Sequence, residues 1–114
     1  MTEKYAKDIQ KKISAFCLKE NIYYNKSIRM SKSGFPDIII VLNSITYYFE
    51  VKAGKDKLSE LQVQTINKLN RDKKIAFVIG SFNEFKTIYD CLPKSDSKVN
   101  YNIKNSLFDE LDLT

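Results

Sequence analysis

Residues 34–52, Gly34-Phe35-Pro36-Asp37-Ile38-Ile39-Ile40-Val41-Leu42-Asn43-Ser44-Ile45-Thr46-Tyr47-Tyr48-Phe49-Glu50-Val51-Lys52, contain the signals from which the fold is read. Pro36 fixes the backbone where the apolar run DIIIVL begins, so an extended strand is expected to start at Pro36 or Asp37. Asn43-Ser44 supplies a tight turn into a second β-rich run, ITYYFEVKA, and the two runs make a hairpin. Alternation along the second strand puts Ile45, Tyr47, Phe49 and Val51 on one face and Thr46, Tyr48, Glu50 and Lys52 on the other. With the turn at Asn43-Ser44, Asp37 falls opposite Glu50 to within one residue of register. Two carboxylates then stand side by side, with Lys52 one step further along the same face.

The flanking segments supply the rest of the fold. From Thr2 to about Glu20, apolar residues at Tyr5, Ala6, Ile9, Ile13, Phe16 and Cys17 keep the spacing of one helical stripe. Thr2 is the expected N-cap, with Glu3 in the first turn. Asn21 ends that helix, Ile22 to Met30 reads as a strand, and the segment before Phe35 as a loop. Beyond the hairpin, a charged loop leads to Ser59, which opens a helix with Leu61, Val63, Ile66 and Leu69 at helical spacing up to Asn70. The strand KIAFVIG follows at 74–80, and Ser81 with Glu84 three residues on marks another helix start. That helix runs to about Leu92, where Pro93 stops it. The order α-β-β-β-α-β-α indicates an α/β fold with a mixed central β-sheet flanked by helices.

Composition narrows the function classes. At 114 residues with 43% hydrophobic and 29% charged side chains, the chain is expected to be one domain over 1–114, with 94–114 a peripheral or partly frayed tail carrying a few apolar residues from Leu107 to Leu113. No apolar run approaches the roughly 20 residues of a membrane span, and the start MTEKYAKDIQKK carries charges where a signal peptide is apolar. A soluble cytoplasmic protein without membrane contact is expected. Cys17 and Cys91 have no CxxC neighbour and are read as small buried apolar groups rather than a disulfide or thiolate site. The chain has no histidine, which removes Ser-His-Asp and Cys-His nucleophile systems and histidine metal sites. Chemistry is left to carboxylates, lysine and a hard metal ion. Three acids lie in the last six residues, so residues 1–108 carry 19 cationic against 11 acidic side chains, a balance suited to a polyanion.

Two ionised carboxylates about 5 Å apart repel by roughly 3 kcal/mol at an effective dielectric near 20, a cost that a divalent cation turns into attraction. The pair Asp37 and Glu50 therefore suits Mg²⁺ or Mn²⁺. Lys52 beside it can orient a water or stabilise charge on a phosphate oxygen, a combination that describes metal-assisted phosphodiester hydrolysis. Taken singly, these residues have plainer explanations. Pro36-Asp37 serves as a strand-entry turn, Glu50 and Lys52 as an ion pair on one strand face, Ser59 and Gln62 as a capping box, and Glu3 as a first-turn helix charge. None of these accounts for an acid pair facing a lysine across a hairpin. Lys26, Arg29 and Lys32 lie in an acid-free stretch before the first carboxylate, and Lys55 and Lys57 follow Lys52 directly; if they flank the carboxylates they form a DNA-binding phosphate track. Tyr23, Tyr24, Tyr47 and Tyr48 suit base stacking in principle, and core or edge-strand positions more commonly.

The run GFPDIII followed by FEVKAGKDKLSELQ resembles the PD-(D/E)xK nuclease superfamily and, within it, the VRR-NUC family, whose motif runs Gly-x-Pro-Asp, Glu-x-Lys, then Leu-Ser and a nearby Gln. The resemblance spans roughly residues 34–80 and implies a restriction-endonuclease-like core. It implies that Asp37, Glu50 and the Val51 backbone carbonyl hold the metal, that Lys52 is the catalytic lysine, and that Gln62 completes the site. It further implies an acid on the first helix facing the metal, for which Glu3 is the better candidate and Asp8 the weaker. Stand-alone members of this size resemble homodimeric, structure-selective DNA endonucleases acting on branched DNA such as four-way (Holliday) junctions. The competing expectations are a DNA-binding or interaction module on the same fold without useful turnover, and a junction resolvase of the archaeal type.

Overall fold

A computed structural model describes residues 3–26 and 34–93. Thr2 as a cap, the strand beyond Lys26, Arg29, Lys32 and the tail 94–114 lie outside the described residues. The elements are α1 (Ala6–Lys19), β1 (Tyr23–Lys26), β2 (Ile38–Leu42), β3 (Ile45–Val51), α2 (Glu60–Leu69), β4 (Ala76–Ile79) and α3 (Phe82–Cys91), in the order read from the sequence. They build one mixed sheet of order β1-β2-β3-β4, antiparallel from β1 to β3 and parallel between β3 and β4, with α2 as the crossover. Mixed pairing with three helices is consistent with a restriction-endonuclease-like core.

The hairpin is set by its turn. Asn43 and Ser44 have φ of 53° and 69°, the two left-handed residues of a turn whose twist matches the flanking strands. The register runs from Leu42↔Ile45 to Ile38↔Phe49, and one further step places Asp37 opposite Glu50. β2 begins at Ile38, after Pro36 and Asp37, because the Val51 N–H leaves the backbone ladder and donates to Asp37 Oδ2 at 3.0 Å.

Helix α1 starts at Ala6, with Tyr5 rather than Thr2 as N-cap. Asp8 supplies the reason: its Oδ2 accepts the Tyr5 N–H at 2.9 Å, a reciprocal acceptor that nothing three residues after Thr2 provides. Glu3 therefore precedes the helix instead of lying in its first turn, and Tyr5 leaves the apolar stripe for solvent. The core joins Ile9, Ile13 and Cys17 of α1, the Tyr47, Phe49 and Val51 face of β3 with Ile38, Ile40 and Ile79, and Phe85 of α3. Phe49 and Phe85 meet edge-on at 5.0 Å between ring centres. Of the two cysteines only Cys17 is buried, and burial pushes its thiol up to about 11. Cys91 is exposed, because α3 reaches the core through Phe85 while Leu92 follows the helix.

The opposite sheet face receives α2 toward β4. Of its four apolar positions only Ile66 is buried; Leu61 and Val63 stay exposed and Leu69 lies between. Asn70 caps the crossover: its Oδ1 accepts the N–H groups of Ile75 (2.8 Å) and Ala76 (2.7 Å), and its Nδ2 donates to the Ala76 carbonyl at 2.9 Å. That clasp ties the end of α2 to the start of β4, next to β3.

Candidate active site

Alternation on β3 sends Glu50 and Lys52 to the face away from α1 and α3, where Tyr48 packs edge-on against Phe35 at 5.3 Å. Glu50 is only 2% exposed, an unusual place for a carboxylate. Its Oε2 is shared by two donors, Gln62 Nε2 at 3.1 Å and Lys52 Nζ at 3.5 Å. Among the described residues, its Oε1 is buried without a hydrogen-bond partner. Burial first, and then the neighbouring Asp37 carboxylate by charge and hydrogen bonding, push the Glu50 carboxyl up to about 7 against the opposing pull of Lys52. Asp37 is thus close enough to be felt as a like charge.

Asp37 is anchored by one oxygen, which accepts the Val51 N–H. A strand residue sends its N–H and C=O to the same side, so the Val51 carbonyl faces the Asp37 side past the end of β2. The hairpin therefore gathers Asp37, Glu50 and the Val51 backbone at one end of the sheet, with Lys52 beside Glu50.

Gln62 makes the expected capping box and also reaches Glu50. Its backbone N–H donates to Ser59 Oγ at 3.1 Å and its Oε1 accepts the Ser59 N–H at 2.8 Å, which completes the capping box. The remaining Nε2 end is the group that reaches Glu50. An amide has separate donor and acceptor ends, so capping and service to the site do not compete.

The helix-one acids are engaged elsewhere. Both Glu3 oxygens accept the Phe82 N–H at the start of α3, at 3.2 and 3.3 Å, and Oε2 pairs with Lys12 Nζ at 2.9 Å. The Lys12 hydrogen bond, helped by the Phe82 N–H, holds the Glu3 carboxyl below its usual range against a partial desolvation cost. Asp8 is occupied by the Tyr5 N–H. Among the described residues no three Asp, Glu, His or Cys side chains gather as a metal cluster. Lys26, Lys55 and Lys57 are exposed, and of the tyrosines Tyr47 is core, Tyr24 is half-buried with its hydroxyl toward the Gln10 carbonyl, and Tyr23 is exposed. Sequence reading passed over the backbone contact between Gly34 and Leu61 and the clasp made by Asn70. A glycine ahead of Phe35-Pro36-Asp37 and an Asn at a helix end were their only signals.

The donor set fits a hard dication. Its atoms are all oxygens, from two carboxylates and a carbonyl, and a buried carboxylate oxygen without a partner sits among them. Two acidic side chains with further sites left to water is the manner in which Mg²⁺, which keeps several waters, is commonly held. No helix among the described residues is long and apolar enough to cross a membrane. Against known families, residues 2–83 match the one described as the VRR-NUC domain. Neither the curated proteins nor the solved structures contain a match to the chain.

Proposed function

The chain belongs to the VRR-NUC family, and is thereby a nuclease domain of the PD-(D/E)xK type; from that premise we propose that it is a Mg²⁺- or Mn²⁺-dependent endonuclease hydrolysing phosphodiesters of DNA, with branched DNA such as four-way junctions as substrate. The observation that carries the reading is the buried, half-satisfied carboxylate of Glu50 next to Asp37. Asp37, Glu50 and the Val51 carbonyl would hold the cation. When bound, it would supply Lewis-acid polarisation of the phosphate and offset the repulsion between the two carboxylates.

The remaining work falls to the chain itself. Gln62 fixes the Glu50 carboxylate by one oxygen, leaving the other for the cation. Lys52, held against that same carboxylate, carries an ammonium that orients the attacking water or offsets charge on a phosphate oxygen as the bond to the leaving oxygen breaks. The leaving oxygen takes its proton from water, and no covalent intermediate forms. Lys26, Lys55 and Lys57, with Arg29 and Lys32, which precede Asp37 in sequence, supply phosphate contacts that give affinity without sequence preference. Cutting both strands of a symmetric junction calls for two such sites, and thus a homodimer with isologous contact.

The test is cleavage of labelled four-way junction, flap and linear DNA in Mg²⁺ or Mn²⁺. Wild type is expected to cut, with junction preferred, and Lys52→Ala to lose about 100-fold or more in rate while binding DNA nearly as well. Equal binding by both proteins with no cutting of any substrate supports the DNA-binding module instead.

A further inference from the structure

The segment from Gly34 to Asp37 touches two parts of the site that must agree in position. At one end Gly34, with φ +79°, lies against the first turn of α2; a Cβ added there would stand 2.7 Å from Leu61 Cγ and 2.9 Å from both the carbonyl carbon and oxygen of Leu61. At the other end Asp37 takes the Val51 N–H. The residue after Leu61 is Gln62, whose Nε2 reaches Glu50, and Glu50 precedes Val51. The contacts close a ring: Gly34, Leu61, Gln62, Glu50, Val51, Asp37, and back along the chain to Gly34.

We propose that Gly34 is a positioning residue of the acid pair, its missing side chain letting the first turn of α2 approach closely enough for Gln62 to hold Glu50. Magnitudes support this. The Leu61 side chain can rotate away from an added methyl group, but its carbonyl cannot, and ordinary contact begins at 3.4 Å rather than 2.9 Å. The turn must retreat by about 0.5 Å, which stretches the 3.1 Å Gln62–Glu50 bond to a length that no longer counts as a hydrogen bond. Glu50 then loses the donor that fixes which of its oxygens faces the site. The inference rests on the proposed function for what the acid pair binds, and on the geometry alone for how the pair is held.

The experiment measures Mn²⁺ binding to metal-free protein by loss of the free-ion paramagnetic resonance signal, without DNA or turnover. Gly34→Ala is expected to bind about ten-fold more weakly than wild type, the usual scale for losing a supporting hydrogen bond at a metal site. In a separate metal-free sample, its Gln62 side-chain amide resonances should move to solvent-exposed positions. Gly54→Ala has the same left-handed requirement at φ +61°, but its added Cβ meets nothing within 4 Å, so its affinity should stay within about two-fold of wild type. Leu61→Ala covers the case in which Gly34→Ala fails to fold; Leu61 is largely exposed, and removing its Cγ loosens the seat, for an expected loss of about three-fold. Wild-type affinity and an unmoved Gln62 amide in Gly34→Ala would overturn the proposal, as would wild-type affinity in Leu61→Ala if Gly34→Ala does not fold. Absence of Mn²⁺ binding by wild type would instead overturn the metal reading of the proposed function.

Discussion

At the scale of single residues, the site is a balance of charges that the fold keeps close. Asp37→Asn is expected to abolish cleavage while leaving the fold intact, because an asparagine oxygen still accepts the Val51 N–H. It also removes one of two like charges, so its thermal midpoint without metal should equal or exceed that of wild type; cleavage assays and melting followed by circular dichroism check both. Glu50 gives a pH dependence of definite sign. Its folded carboxyl is raised from 4.5 to about 7, so the stability contributed by its neutral form is fully present below the unfolded value and lost as pH rises through about 7. In EDTA, the melting temperature of Glu50→Gln minus that of wild type should therefore grow between about pH 5 and 8, and Mg²⁺ should shrink the gap; a flat difference would contradict the burial argument. The acid pair and Lys52 were legible in the sequence because hairpin register and alternation are short-range rules. The fate of Glu3 was not, because it lies outside α1 once Asp8 sets the helix entry, and its partners are Lys12, inside α1, and Phe82, at a helix start far along the chain.

Among the elements, turn and cap chemistry decide where the side chains arrive. Ser44 occupies a left-handed position better suited to glycine. Ser44→Gly should raise stability by about 0.5–1 kcal/mol and leave cleavage unchanged, as thermal melts and a junction assay will show. Asn70→Ala removes three hydrogen bonds that join the α2 end to β4, and should cost about 2–3 kcal/mol in denaturant unfolding. The order of elements was readable from periodicity and from Pro36, Asn43-Ser44, Ser59 and Ser81. The start of α1 was misplaced because Thr2 looks like a cap in isolation, whereas the acid three residues inside the helix decides between candidates. The exposure of Cys91 and Val63 was missed for a related reason: spacing identifies a stripe but not how much of it a neighbouring element covers.

For the whole molecule, the sheet is a scaffold that brings one hairpin end and one helix start together, with exposed lysines at its margins. If Lys55 and Lys57 contact phosphates, Lys57→Ala should weaken DNA binding evenly across sequences and reduce the slope of log affinity against log salt by about one; an unchanged slope removes it from the track. The most direct test of the acid-pair account is an anomalous difference map from a crystal of the protein soaked in Mn²⁺. The account predicts a peak bridging the Asp37 and Glu50 carboxylates beside the Val51 carbonyl, with Gln62 still on the other Glu50 oxygen. A map with no peak there, or with manganese only at unrelated surface acids, would contradict it.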